Sequence, residues 1–349
     1  VSTRLQLSSN SLLNWFLLPK SNCLNSEPHF VHEMIASQIG ESFKSLICDD
    51  SALSRFTVEI PKIELASYDS QFIGPVADIK SIAARDCTDL VKGIIVHGSV
   101  ASRDFIVGWS DLDATIIISE STLEDPKKLC RLREASLSIH ECIQRFDRLQ
   151  HHGIHFLSPY DLLAYPDTYL PHVLYQDAVS LLGNLKLDIS VRNSMPEQVE
   201  RFNSIHRLFK ESIAVGEMRH HQFNGEYLQD SFVNADNAMY QMKYFLSLVM
   251  LLPSYFANLR GILCSKSRSF ELCRPFISEK AWSIVELASQ VRSEWAIHSP
   301  PVKNEIPDWI QQIIGENYFE RGYNFTCELQ RNLIDAGIIN SSGLPTGDR

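Results

Sequence analysis

Three absences narrow the reading of this 349-residue chain. First, its eight cysteines form no C-x-x-C pair. Cys23, Cys48, Cys87, Cys130, Cys142, Cys264, Cys273 and Cys327 are scattered, which suits free thiols in a reducing compartment better than a disulfide framework. Second, no apolar run reaches membrane length. The longest uncharged stretch, Tyr244 to Leu259, contains Pro253 and falls short of the roughly 20 residues a span requires. The N-terminal residues show no basic segment leading into a long apolar core, so no secretory signal and a cytoplasmic location are expected. Third, there is no basic excess. Lys and Arg number 32 against 42 Asp and Glu, a net charge of -10. That balance argues against an extended nucleic-acid groove. It leaves room for a nucleotide carried with its own metal ions.

The chain has the length for two domains, and no internal repeat is evident. Residues 1–70 read as an N-terminal extension with one helical segment, Pro28 to Ile47, and an open mode of attachment. Residues 75–92 read as a helix, 93–96 and 112–118 as buried β-branched strands, and 125–149 as a long helix begun by Asp125-Pro126. Residues 151–157 read as a third strand and 179–182 as an edge strand or connector. Beyond Met195-Pro196 strand signals stop. Helical patterns follow over 196–216, 229–263, 275–297 and 308–337. The expected fold is α+β: a small mixed β-sheet domain with flanking helices over 71–190, followed by an all-helical domain over 195–338. Residues 339–349 are expected to be a disordered tail.

The chemistry concentrates in GIIVHGSVASRDFIVGWSDLDATIIIS, residues 93–119. An apolar run ends in His97-Gly98-Ser99. After eleven intervening residues, Val100 to Ser110, Asp111-Leu112-Asp113 opens the next apolar run. Gly98 lacks a Cβ, so the backbone there can turn sharply and approach phosphate oxygens. Ser99 adds a hydroxyl and an N–H. A short helix opened by Val100 would aim its N-terminus at a triphosphate. Two aspartates two apart on a strand share a face. Carboxylates about 4 Å apart repel by roughly 4 kcal/mol at an effective dielectric of 20, and a divalent cation relieves that repulsion.

The pattern resembles the signature of the polymerase-beta-type nucleotidyltransferase superfamily: a strand, Gly-Ser, a spacer of about ten residues, and Asp-x-Asp on the next strand. Gly98, Ser99, Asp111 and Asp113 match it residue by residue. The resemblance covers about 95–160. It implies a nucleotidyltransferase domain in which Asp111 and Asp113 bind Mg²⁺ (or Mn²⁺) and act in catalysis, and Gly98 and Ser99 cradle a nucleoside triphosphate. Arg103, Ser110 and Lys266 complete the candidate nucleotide-binding set. Small family members with a helical second domain imply a small-molecule acceptor whose hydroxyl receives the nucleoside monophosphate. A nucleotide-binding or antitoxin-like module with impaired catalysis, and a protein-modifying enzyme, remain as alternatives.

One position departs from the family. A third carboxylate belongs on the next strand, which here reads HHGIHFL, with His155 at that place. Three readings stay open. His155 is a metal ligand or general base; Asp147 or Asp161 completes the site from outside the strand; or the third acid is lost and the domain only binds nucleotide. A zinc site from His151, His152 and His155 is disfavoured, because His152 would face away from the other two. Arg260, Lys266 and Arg268 form a basic cluster that either reaches an anion or caps a helix end. Tyr240, Tyr244, Phe245, Tyr255 and Phe256 read as helical core. Arg219, His220 and His221 read as loop surface.

Overall fold

Leu185, Leu187, Ile189 and Val191 alternate with Lys186, Asp188, Ser190 and Arg192, the period-two pattern of a strand with one buried face. The segment pairs with Phe56, Val58 and Ile60, which carry the same alternation far upstream. These two strands form a sheet that the expected single mixed sheet did not contain. The computed structural model describes residues 2–18, 29–46, 53–67, 70–146, 154–166, 170–192, 195–218, 238–298 and 305–346. The chain divides into two units. The described residues up to Phe105 and from Ser110 to Arg192 form an α+β unit; Ile106–Trp109 and the described residues from Met195 onward form a helical one.

The α+β unit begins with helices α1 (Ser2–Leu17) and α2 (His29–Lys44), then strand β1 (Leu53–Ile60). Helix α3 (Ser70–Ile82) continues into a π-helical turn, Ala83–Cys87, ahead of β2 (Val91–His97). A single turn, α4 (Gly98–Ala101), precedes β3 (Asp113–Ile118) and another turn, α5 (Glu120–Leu123). Helix α6 (Pro126–Phe146) leads to β4 (Ile154–Leu157), α7 (Pro159–Leu163), β5 (Tyr165–Pro166), a 3-10 turn at His172–Asp177, β6 (Val179–Ser180) and β7 (Leu185–Arg192). The four-stranded sheet has the order β4-β3-β2-β6 and the three-stranded sheet the order β1-β7-β5. In the first, β2 runs antiparallel to β3 and to β6, while β4 runs parallel to β3, so the sheet is mixed.

Its two faces bury different partners. Ile94, Val96, Leu112, Ile116, Ile118, Ile154 and Phe156 enter one core with residues of α1, α2, α3 and α6. Ile95, Ile117 and Leu157 point the other way, into a second core with Leu187, Ile189 and Val191 of the three-stranded sheet. Alternate residues on a strand serve opposite faces, so each strand of the central sheet feeds both cores. The N-terminal helices are part of this unit. Arg133 of α6, almost wholly buried, donates from Nε to the Phe16 carbonyl near the C-terminus of α1 at 3.0 Å and stacks over the Phe16 ring. The attachment left open in the sequence is therefore the helix layer over the central sheet.

The helical unit contains α8 (Met195–Val215), α9 (Ala238–Leu259), α10 (Lys266–Cys273), α11 (Glu279–His298), α12 (Asp308–Ile314) and α13 (Tyr318–Asp335). The expected helix over 308–337 is two, separated at Gly315. Pro253 does not break α9; its carbonyl lies 3.1 Å from Cys273 Sγ as hydrogen-bond acceptor. Residues 339–346, expected within a disordered tail, fold back onto the chain. Asn340 Oδ1 accepts hydrogen bonds from Ser342 and Leu344, and Thr346 N reaches the Ile338 carbonyl at 3.2 Å. Asx-type turn bonding of this kind holds polar, Gly-containing chain, and the segment is anchored by buried Ile339 and by Asn203 Nδ2 of α8 donating to the Gly343 carbonyl at 2.7 Å. Among the described residues no helix is long and apolar enough to cross a membrane.

Candidate active site

β2 ends at His97 and the chain reverses through Gly98, whose φ is +67°. An added Cβ there would lie 2.5 Å from Asp113 Oδ2. Both the backbone angle and the space therefore require glycine. The turn is closed by backbone bonds from Ser102 N to the Gly98 carbonyl at 3.0 Å and from Asp104 N to the Ser99 carbonyl at 2.9 Å. Antiparallel pairing sets His97 opposite Asp113, which brings the Gly98-Ser99 turn and the head of β3 to one end of the sheet.

Asp113 is the first residue of β3, and Asp111 lies on the segment leading into it rather than on the strand itself. Leu112 between them is fully buried in the helix-side core, while both aspartates are half-buried. Ser110 is buried. His155 pairs in register with Thr115, so His97, Asp113, Thr115 and His155 share one face of the sheet. Ile154 and Phe156 occupy the opposite face, in the helix-side core, as the strand pattern around His155 predicts.

His97 was absent from the sequence-based set of site residues. It is the last strand residue before the glycine turn, and that position was the available signal. Its ring is fully enclosed. His97 Nε2 and Thr115 Oγ1 lie 3.0 Å apart in a hydrogen bond. Nδ1 is buried without a hydrogen-bond partner. The His155 ring centroid lies 6.0 Å away and that of Tyr175 6.1 Å away. Burial, with a smaller contribution from the neighbouring His155, pushes the His97 pKa down to about 3. A neutral imidazole therefore sits under the motif.

The other candidates distribute as follows. Arg103 is exposed, adopts a left-handed φ of 61°, and donates from Nη2 to Ser67 Oγ at 3.0 Å. Lys266 opens α10 in the helical unit and is not part of the α+β unit that carries the motif. Arg260 stacks on Phe276 with its guanidinium carbon 4.2 Å from the ring centroid. Asp161 is wholly buried and committed to capping α7: its Oδ2 accepts from Ser158 N at 2.6 Å and from Ser158 Oγ at 2.7 Å, and Asn10 Nδ2 bonds its other oxygen. Asp147, His151, His152 and the Arg219–His221 segment lie outside the described residues. Phe245, Phe256 and Tyr240 are buried in the helical core.

No protein-family model matches the chain, and no curated protein matches it. The residues themselves must carry the reading. Among the described residues no three His, Cys, Asp or Glu side chains gather in metal-holding geometry. What the protein provides is a half-buried aspartate, Asp113, against a glycine turn, a second half-buried aspartate two residues before it, and a histidine further along the same sheet face as Asp113.

Proposed function

We propose that this chain is a nucleotidyltransferase that moves a nucleoside monophosphate from a nucleoside triphosphate to the hydroxyl of a small-molecule acceptor. The observation that carries the reading is the close approach of the Asp113 carboxylate to Gly98 at a left-handed turn. A side chain at residue 98 would fill that space, so the turn keeps backbone N–H groups and a carboxylate side by side. This is the pairing that a phosphate with its counter-cation demands.

The donor set fits Mg²⁺. Asp111 and Asp113 offer hard oxygen ligands, and Mg²⁺ commonly takes only one or two carboxylates, with substrate phosphates supplying the rest. The bound ion would supply charge neutralisation at the phosphates undergoing displacement. The protein's own residues do the remaining work. Gly98 and Ser99 hold the triphosphate by backbone N–H and hydroxyl groups, and Arg103 adds positive charge next to the turn. The acceptor oxygen forms a bond to the α-phosphorus as the bond to the departing pyrophosphate breaks. The hydroxyl proton passes to His155, which stands on the face that carries Asp113.

A second reading is favoured by one fact: a histidine stands where the family places its third carboxylate. On that reading the domain binds nucleotide without turnover. One experiment separates the two. Pyrophosphate release is measured with Mg²⁺, each of the four common nucleoside triphosphates and a panel of hydroxyl compounds, alongside calorimetric titration of the same nucleotides. The proposal expects Mg²⁺-dependent binding and release, both lost in Asp113→Asn. Binding without release under every condition supports the second reading, and absence of binding overturns both.

A further inference from the structure

The spacer between the two halves of the motif does not stay in one unit. Gly98 to Phe105 and Ser110 onward belong to the α+β unit, whereas Ile106–Trp109 belong to the helical unit. Within the helical unit Trp109 is only 5% exposed and packs edge-on against Trp295 of α11, ring centroids 5.0 Å apart at 74°. Trp295, itself 1% exposed, packs in turn against Trp309 of α12 at 6.0 Å. The seat is exact in its backbone too. Gly108 has φ +74°, and a Cβ there would come 3.3 Å from Trp295 Nε1. Trp109 N closes the turn onto the Ile106 carbonyl at 3.1 Å.

Asp111 follows Trp109 by two residues. Two residues of extended chain reach at most about 7 Å. A fixed indole at residue 109 therefore limits where the Asp111 carboxylate can stand, and buried Ser110 between them leaves little slack. We propose that Trp109 is a positioning residue for Asp111: its indole, seated against Trp295, fixes the chain two residues before the aspartate and so sets the metal affinity of the site. The consequence for binding rests on the nucleotidyltransferase reading; the anchoring of residues 110–112 does not.

The test uses the full chain as wild type, Trp109→Ala and Trp109→Phe. Amide hydrogen exchange is followed at 110–113, with α8 and α13 as internal controls. In parallel, the Mg²⁺ concentration giving half-maximal binding of a non-hydrolysable nucleoside triphosphate is measured. The expected result is at least tenfold faster exchange at 110–112 in Trp109→Ala with α8 and α13 unchanged, and about a tenfold higher Mg²⁺ requirement. Trp109→Phe, which restores an aromatic ring to the seat, returns both toward wild type. Unchanged exchange at 110–112 overturns the proposal. So does equal loosening of α8 and α13, which would make Trp109 ordinary core. If wild type binds no nucleotide, the functional reading falls while the exchange arm still decides the anchoring; if wild type binds and Trp109→Ala has the same Mg²⁺ requirement, the positioning role falls alone.

Discussion

At the scale of single residues, two backbone angles flank the motif turn. Gly98 combines a left-handed φ with the Asp113 carboxylate in the space a methyl group would occupy. Left-handed backbone costs a non-glycine residue about 1–2 kcal/mol, before the close contact is counted. Gly98→Ala should lower stability by about that much or more in chemical denaturation, and abolish nucleotide binding by pushing the Asp113 carboxylate aside. Arg103 is the reverse case, a non-glycine residue with φ 61°. Arg103→Gly should raise stability by up to about 1 kcal/mol while weakening triphosphate affinity. A Gly variant with full affinity would remove Arg103 from the nucleotide set. His97 gives a pH prediction. Its ordinary pKa of 6.5 falls to about 3 on folding. Between those values the unfolded chain binds a proton that the folded chain does not. The group's contribution to stability is thus complete above about pH 6.5 and is lost on acidification, at about 1.4 kcal/mol per pH unit. Imidazole resonances should show His97 neutral at pH 4.5; a midpoint near 6.5 would show that the ring is not enclosed as described.

Among the elements, α7 separates structure from chemistry. Asp161, a candidate third acid on the sequence, spends both oxygens on the cap of that helix and on Asn10. Loss of such a cap costs about 1 kcal/mol. Asp161→Asn should therefore lower the denaturation midpoint and leave the pH dependence and Mg²⁺ dependence of nucleotide binding unchanged. The strands β2 and β3 were legible in sequence because β-branched runs flank the motif, and the His155 strand because Ile154 and Phe156 bracket it. The three-stranded sheet was not read, although β7 alternates cleanly. Its partner β1 lies in the first 70 residues, where a local reading finds only helix signals, and strand pairing is a non-local fact. Asp111 was expected on the strand; a strand boundary depends on pairing partners, and β2 offers its last pair at His97 opposite Asp113. Lys266 was singled out by its basic neighbours Arg260 and Arg268, a local pattern that carries no information about which unit a residue joins.

For the whole molecule, the cysteine pattern makes a prediction that spans both units. Cys87, Cys130, Cys142, Cys264 and Cys273 are all buried and free. Burial raises the Cys87 thiol to about 11 and the Cys273 thiol to about 12. The thiolate is the reactive form, so these residues should resist alkylation in the folded protein at pH 8. Peptide mapping after iodoacetamide should recover them unmodified until denaturant is added; rapid native labelling of Cys87 would contradict the core that holds it.

The long-range pairing of the outer sheet also shapes how the chain must be made. Thr57 of β1 bonds Asp188 of β7, 131 positions further on. At about 5–20 residues per second, a ribosome leaves β1 without its partner for roughly 7 to 26 seconds. Throughout that interval Phe56, Val58 and Ile60 have no sheet to cover them, and an unpaired strand is a template for other chains. Arg55 and Glu59 stand in the same strand as charged interruptions that disfavour such pairing. Replacing both with β-branched residues should leave the finished fold close to unchanged yet send newly made protein into inclusion bodies, a burden that falls on birth rather than on the mature molecule.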